Sequence, residues 1–175
     1  MLKKSLHLTA LLAAAFLSLS LPAAAQQAAD DEDEIEKEWK EVAAQLPEAP
    51  KAENLVSFYD SGTQSFAIDV KSLTIAADGT IRYTLVSVSR GGAKNISYEA
   101  IRCESFQKKL YAFGRPDGSW SRSRRNEWSA ISNLAANKQH STLAVDYFCE
   151  GNTVAGRAPA IVERIRKNQT VLKQY

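Results

Sequence analysis

The sequence predicts an α+β domain in which an antiparallel sheet of five or six strands has an amphipathic helix before it and helices after it. Two observations lead to this fold class. β-rich runs of period-two alternation, separated by turns that contain Gly, Asp or Pro, fill the middle of the chain. Apolar residues with helical spacing occur before this region and after it. No internal repeat is visible, so we expect residues 31–175 to form a single domain.

The stretch Asp78–Cys103 shows the clearest pattern and predicts the central hairpin. It opens on Asp78-Gly79, a favoured turn because glycine adopts positive φ without steric cost. The run Ile81–Val88 alternates at first and is apolar on both faces in its later half, which predicts a central strand that is covered on both sides in that half. A glycine turn follows, and Ile96–Cys103 is the predicted return strand.

Shorter β-rich runs lie on either side of this hairpin. They are Leu55–Tyr59, Phe66–Val70, Ser72–Ala76, Lys109–Arg115 and Ser119–Ser121.

The predicted N-terminal helix covers Asp31–Leu46, where Ile35, Trp39, Val42 and Leu46 form one apolar stripe. Acidic residues crowd its first turn, where the helix dipole favours negative charge. We therefore expect Trp39 to pack against the sheet.

Three predictions concern the C-terminal third. Arg122–Asn137 is interpreted as a loop followed by a short helix or irregular segment. Ser141–Glu150 is predicted to be a helix that ends at Gly151. The last helix is predicted to open at Pro159 and to face inward through Ile161, Val162 and Ile165.

The N-terminal residues have the pattern of a secretory signal peptide. Lys3 and Lys4 precede the apolar run Leu8–Leu21, and small residues lead to a cleavage point after Ala25. The run is shorter than the roughly 20 residues of a membrane span, which disfavours a retained anchor. We expect export to the periplasm, no transmembrane span after cleavage, and disorder over residues 26–30.

Cys103 and Cys149 are the two cysteines of the chain, and in an exported protein such a pair is most simply one disulfide. They lie far apart, form no CxxC motif and are accompanied by one mature histidine, so a zinc site is disfavoured. No metal and no cofactor is expected. Export and the absence of a recognised basic motif also argue against nucleic acid as a partner.

Several ordered motifs resemble the cryptic neisserial protein-like family of small exported proteins of Gram-negative bacteria. The motifs are FAIDVKSL (66–73), DGTIRYTL (78–85), NISYEAIRC (95–103), KLYAFGRPDGSW (109–120) and LAVDYFC (143–149). Trp39 and the Leu46–Pro50 connector also fit. The resemblance implies a periplasmic location and brings no catalytic residues. Some members are thought to be lipoproteins, but this sequence has no lipobox cysteine.

The best candidate for a binding site is a group of arginines and tryptophans after the central hairpin. Arginine forks bind carboxylate and phosphate, and indole rings stack on sugars or support cations. The function predicted from this group is a non-enzymatic module that binds an envelope component or a periplasmic protein; the alternative is a solvated loop beside two core tryptophans. The group consists of Arg115, Arg122, Arg124, Arg125, Trp120 and Trp128.

Two other functions remain open: a hydrolase acting on an envelope polymer, and a structural or assembly factor. The hydrolase would use Glu99 or Asp146, which would form a carboxylate pair if the disulfide draws their segments together. Glu99 would otherwise pair with Arg82 or Arg102 on the sheet.

Two further patterns have structural interpretations that we favour. His140 and Ser141 are adjacent, which suits a helix N-terminus better than a nucleophile and its base. The aromatic residues of the strands are more typical of core than of a ligand groove. These are Tyr83, Tyr98, Tyr111 and Phe113.

Overall fold

The computed structural model describes residues 39–132, 134 and 138–171. The signal peptide with its cleavage after Ala25, the disorder over residues 26–30 and the first half of the helix predicted for Asp31–Leu46 lie outside the described residues. Residues Glu38–Tyr175 form one unit. Within the described ranges, no helix is long and apolar enough to cross a membrane.

The main element of the fold is an antiparallel sheet whose first six strands are neighbours in chain order. Their bounds are β1 (Leu55–Asp60), β2 (Gln64–Ile75), β3 (Ile81–Ser89), β4 (Lys94–Arg102), β5 (Gln107–Gly114) and β6 (Trp120–Arg122). A short strand, β7 (Ser129–Ala130), pairs with the first residues of β5. The predicted antiparallel sheet is confirmed, and it is built from hairpins as the turn residues indicate.

Strand β2 replaces the two separate strands predicted at Phe66–Val70 and Ser72–Ala76. Its pairing with β3 is regular up to Asp69 and resumes at Thr74 after an irregularity. There the Ser72 hydroxyl donates to the Asp69 carbonyl and accepts a hydrogen bond from the Thr84 amide, both at 2.8 Å. A side chain thus supplies a bond that the interrupted ladder lacks, so one bulged strand continues where the sequence indicates a break.

Strand β3 is the centre of the sheet, as its apolar pattern predicts. Ile81 to Ser87 are all buried. One face, with Ile81, Tyr83 and Leu85, packs in the main core beneath the C-terminal elements. The opposite face carries Arg82, which is 5% exposed. Both faces of the sheet are therefore covered.

The C-terminal elements cover the main core. They are α1 (Lys138–Thr142), a π-helix (Leu143–Phe148), β8 (Cys149–Glu150), β9 (Thr153–Val154) and α2 (Ala158–Arg166). The helix predicted for Ser141–Glu150 is wrong in its last residues, because Cys149 and Glu150 pair with β9 instead. Gly151, with φ of 58°, therefore lies in the turn of this small hairpin. Helix α2 begins at Ala158, and the predicted Pro159 lies in its first turn.

The predicted disulfide between Cys103 and Cys149 is present, with 5.6 Å between the two Cα atoms. Cys103 follows β4 and Cys149 opens β8, so the bond joins the sheet to the C-terminal elements. Both half-cystines are buried in the main core.

The other face of the sheet is covered by residues 39–50, which we call the N-terminal strap. The strap has no regular secondary structure, so the described part of the helix predicted for Asp31–Leu46 is not helical. The Arg82 guanidinium donates to the carbonyls of Val42 (2.6 Å) and Ala43 (3.3 Å). The Val42 amide donates to the Asp78 carboxylate at 2.8 Å. Backbone groups that a helix would pair internally are thus bound by side chains of the sheet.

Candidate functional site

Glu41 of the strap is bound by three donors from the sheet and the loop beyond it. Lys109 Nζ lies 2.7 Å from Oε2, the Tyr111 hydroxyl 2.9 Å from Oε1, and Trp128 Nε1 3.2 Å from Oε2. Burial alone would raise the pKa of Glu41, but the hydrogen bonds from Lys109, Tyr111 and Trp128 lower it below its usual value. The carboxylate is therefore charged at neutral pH and compensates the buried ammonium of Lys109.

The three tryptophans hold the strap in place. Trp39 Nε1 donates to the Asp78 carbonyl at 2.9 Å, and its ring meets the Trp128 ring edge-on at 5.7 Å between centroids. The Arg102 guanidinium lies 3.9 Å from the centre of the Trp39 ring. Trp120 Nε1 donates to the Pro47 carbonyl at 2.7 Å. The packing of Trp39 against the sheet is confirmed, and Trp120 serves the same attachment from the far end.

The four arginines of the predicted binding group are all exposed. Among the described residues, none of their side chains forms a hydrogen bond or a salt bridge. They are Arg115, Arg122, Arg124 and Arg125. Charged side chains that stabilise a fold are normally paired, so the conformation gives these arginines no evident structural task.

A pocket lies beside β5, in the interval between β6 and β7. Strand β7 pairs with β5 at Gln107 and Lys108, and β6 pairs with it from Ala112 onward. The intervening part of β5 and the segment that joins β6 to β7 enclose a cavity of about 280 Å³, the β6–β7 pocket. It is lined by Glu99, Lys108, Lys109, Leu110, Arg125, Glu127, Trp128 and Ser129. The pocket therefore contains Arg125 and Trp128 of the predicted group.

Glu99 is the most buried carboxylate of this pocket, at 8% exposure. The Ser97 hydroxyl donates to Oε1 at 2.6 Å, and His140 Nε2 lies 2.6 Å from Oε2. The Tyr83 hydroxyl donates to Oε2 at 3.3 Å. Burial would raise the pKa of Glu99, but the bond and charge of His140 and the bond from Ser97 lower it. The same burial, with the charge of Glu99 beside it, raises the pKa of Tyr83.

Of the two carboxylates proposed for a hydrolase, Glu99 alone lines the β6–β7 pocket. Asp146 lies in the π-helix and does not line the pocket. Glu127, which the sequence analysis did not single out, lines it together with Glu99. The alternative pairing of Glu99 is also wrong, because Arg82 binds Asp78 and Arg102 binds Glu104.

His140 pairs with Glu99 in the structure. The imidazole is buried at 5% exposure and reaches the sheet from α1, so it is not a helix-capping group. The pairing joins residues 41 positions apart, and no local motif announces it. The available signal is that Glu99 alternates with Ile101 and Cys103 on the buried face of a strand, where a carboxylate needs a partner. Within the described ranges, no three His, Cys, Asp or Glu residues are placed to hold a metal ion.

The aromatic residues of the strands do not form a groove. Tyr83 lies in the main core, whereas Tyr98 and Tyr111 pack in a second cluster under the strap. Phe113 is 51% exposed. The interpretation of the tyrosines as core residues is thus confirmed.

The comparisons with known proteins agree with the motifs. The model of the CNP1-like family matches residues 34–166. The chain is 28% identical over 174 residues to Cryptic neisserial protein 1 of Neisseria gonorrhoeae (strain ATCC 700825 / FA 1090), an alignment covering 89% of this chain and 85% of that protein. No solved structure matches. With most of its length matched, the chain belongs to the CNP1-like family.

Proposed function

We propose that this protein is a non-enzymatic periplasmic module that binds an anionic component of the cell envelope at the β6–β7 pocket. The observation that carries the proposal is that the arginines are exposed and have no side-chain partner among the described residues. Arg125 lines the pocket beside Lys108 and Trp128, and Arg122 and Arg124 lie exposed in the segment before it. Exposed cations without partners in the fold are free to bind an external anion.

The disulfide supports the periplasmic part of the proposal, because such bonds form and persist in oxidising compartments. The signal-peptide pattern of the first 25 residues agrees with it.

The test is retention of the purified, oxidised protein on anionic envelope fractions. Changing Arg122, Arg124 and Arg125 to Ala should leave the free energy of unfolding nearly unchanged, since the three side chains are exposed. Retention should be lost, and retention of the wild type should fall as salt is added, because exposed charges are screened beyond about 8 Å at physiological ionic strength.

The matched control removes three exposed cations elsewhere: Arg90, Lys94 and Arg157 to Ala. This variant has the same net charge as the first and should keep its retention. Equal losses in both variants would show that net charge, not the pocket, governs binding. Full retention in the first variant would place the binding site elsewhere.

A hydrolase acting on an envelope polymer is the second candidate, because two carboxylates, Glu99 and Glu127, line one pocket. Against it, Glu99 is bound by three donors within the protein, and its lowered pKa does not suit a general acid. Release of reducing ends from envelope glycan, abolished by Glu127→Gln, would favour the hydrolase. Binding without release favours the module.

A further inference from the structure

Resting on the proposed function, we infer that the β6–β7 pocket selects a singly charged, carboxylate-bearing sugar unit over a phosphorylated one. The inference concerns which class of anion the pocket accepts. It is argued from the balance of charge at the pocket and from its hydrogen-bond acceptors.

The first step is the charge that the pocket offers a ligand. Lys109 is committed to Glu41 at 2.7 Å, and Glu99 is held by His140 and two hydroxyl donors. Lys108, Arg125 and Glu127 also line the pocket. None of these three side chains has a hydrogen bond or ion pair with the residues that the structure describes. The lining side chains without such a partner are thus two cations and one carboxylate, an excess of one positive charge that one carboxylate of a ligand would balance.

The second step is what a doubly charged phosphate would meet. Its first negative charge would be balanced as a carboxylate's is, but its second would find no further excess of positive charge among the lining residues and would face Glu127. A like charge in a partly enclosed pocket is unfavourable, because solvent screens it less than at an open surface. Arg125 would bind either anion through its planar fork, so the arginine alone does not decide between them. The discrimination between the two anions comes from Glu127, which the second charge of a phosphate would face.

The third step identifies the ligand's other groups. The carboxylate oxygens of Glu127 and Glu99 are acceptors for hydroxyl donors, and Trp128 offers an aromatic wall. The Trp128 ring is held by its bond to Glu41 and by its T-shaped contact with the Trp39 ring. An aromatic wall that is already fixed binds with little loss of conformational entropy. A sugar ring with a carboxylate substituent supplies all three complements: an apolar face, hydroxyl donors and one negative charge.

The test uses three probes that share one ring: D-glucuronate, D-glucose and D-glucose 6-phosphate. Binding to the oxidised full-length protein is measured by ligand-observed NMR titration at pH 7.5, where the phosphate is largely doubly charged because its second pKa is about 6. Glucuronate should bind roughly fivefold more tightly than either of the other two probes, the size of effect expected from one favourable charge pair.

Two variants separate the contributions. Arg125→Gln should reduce glucuronate binding to the level of glucose. Glu127→Gln adds one positive charge to the balance and should raise the affinity for glucose 6-phosphate relative to glucuronate by about fivefold. Both side chains are exposed, so both variants should fold. Glu53→Gln, an exposed glutamate outside the pocket, is the control and should leave the ratio unchanged.

Tighter binding of glucose 6-phosphate than glucuronate by the wild type would overturn the inference. So would the absence of binding by all three probes, or an unchanged ratio in Glu127→Gln. The proposed function is judged separately: if the triple arginine variant still loses retention on envelope fractions, the module stands and only the class of ligand is wrong.

Discussion

Substituting Glu41 by Gln tests whether the strap is held by charge as well as by packing. The substitution keeps the size of the side chain but leaves the ammonium of Lys109, whose side chain is 4% exposed, without its counter-ion. Breaking a fully buried pair costs roughly 3–5 kcal/mol. The Glu41 side chain is 24% exposed, so water compensates part of the loss, and we expect the free energy of unfolding to fall by about 2–3 kcal/mol.

The double variant Glu41→Gln/Lys109→Met separates charge from contact. Because it removes both charges, it should be more stable than the sum of the single changes predicts, with a coupling of roughly 1–2 kcal/mol. Urea unfolding followed by tryptophan fluorescence measures all four proteins, and Trp128 reports directly on the site. Glu48→Gln is the control, since that strap carboxylate is 82% exposed and lies 4.0 Å from Lys71. A loss below about 0.5 kcal/mol for Glu41→Gln, or strict additivity, would refute the reasoning.

Three further predictions concern the free energy of unfolding. Stability should decrease as the pH falls below about 5, because folding lowers the pKa values of Glu41 and Glu99. Their contribution to stability is complete above the unfolded-state pKa of 4.5 and is lost as the pH falls through the folded-state values. Acid titration by circular dichroism checks this, and Glu41→Gln should show a shallower loss. Replacing both half-cystines by Ala should cost roughly 2–5 kcal/mol in urea unfolding, and an unchanged stability would mean that packing alone holds the C-terminal elements. Gly114→Ala should cost about 1–3 kcal/mol, because a Cβ there would lie 2.7 Å from Ile96 Cγ2; a melting temperature equal to that of the wild type would contradict this.

The strands are the part of the fold that the sequence predicts best. Alternation and turn residues are local, and each hairpin of the sheet joins neighbours in the chain. Strand β3 is central as predicted, but its burial differs in detail from the pattern: Arg82 and Thr84 are buried, whereas Val88 of the apolar later half is exposed. The bulge in β2 was not predictable, because the Ser72 hydroxyl that stabilises it binds Thr84 of the next strand.

The strap and the predicted binding group show where local patterns fail. The apolar stripe of Asp31–Leu46 has helical spacing, but in the described residues Trp39 and Leu46 lie in an irregular segment that packs on the sheet. Tertiary bonds from Arg82 and Asp78 override the local preference there. Tertiary hydrogen bonds also divide the predicted binding group. Trp120 and Trp128 donate hydrogen bonds to the strap, whereas the arginines stay exposed.

The buried charges of the sheet have a common use. Arg82 and Lys109 face the strap and pair with Asp78 and Glu41, whereas Glu99 faces the opposite layer and pairs with His140. Each of these pairs is of limited value for stability relative to well-packed apolar residues, because desolvation offsets much of the attraction, although removing one partner alone is costly.

Their value lies in position. An irregular strap on a sheet has no ladder to set its register, and hydrophobic contact alone is non-directional. The bonds of Arg82 and Glu41 give the strap one register, and Glu41 also holds Trp128 at the wall of the β6–β7 pocket. On the other face, His140 and Ser97 hold the Glu99 carboxylate at the same pocket. The two layers of the fold therefore meet at the β6–β7 pocket, so we expect a change in either pairing to alter the proposed ligand binding before it unfolds the sheet.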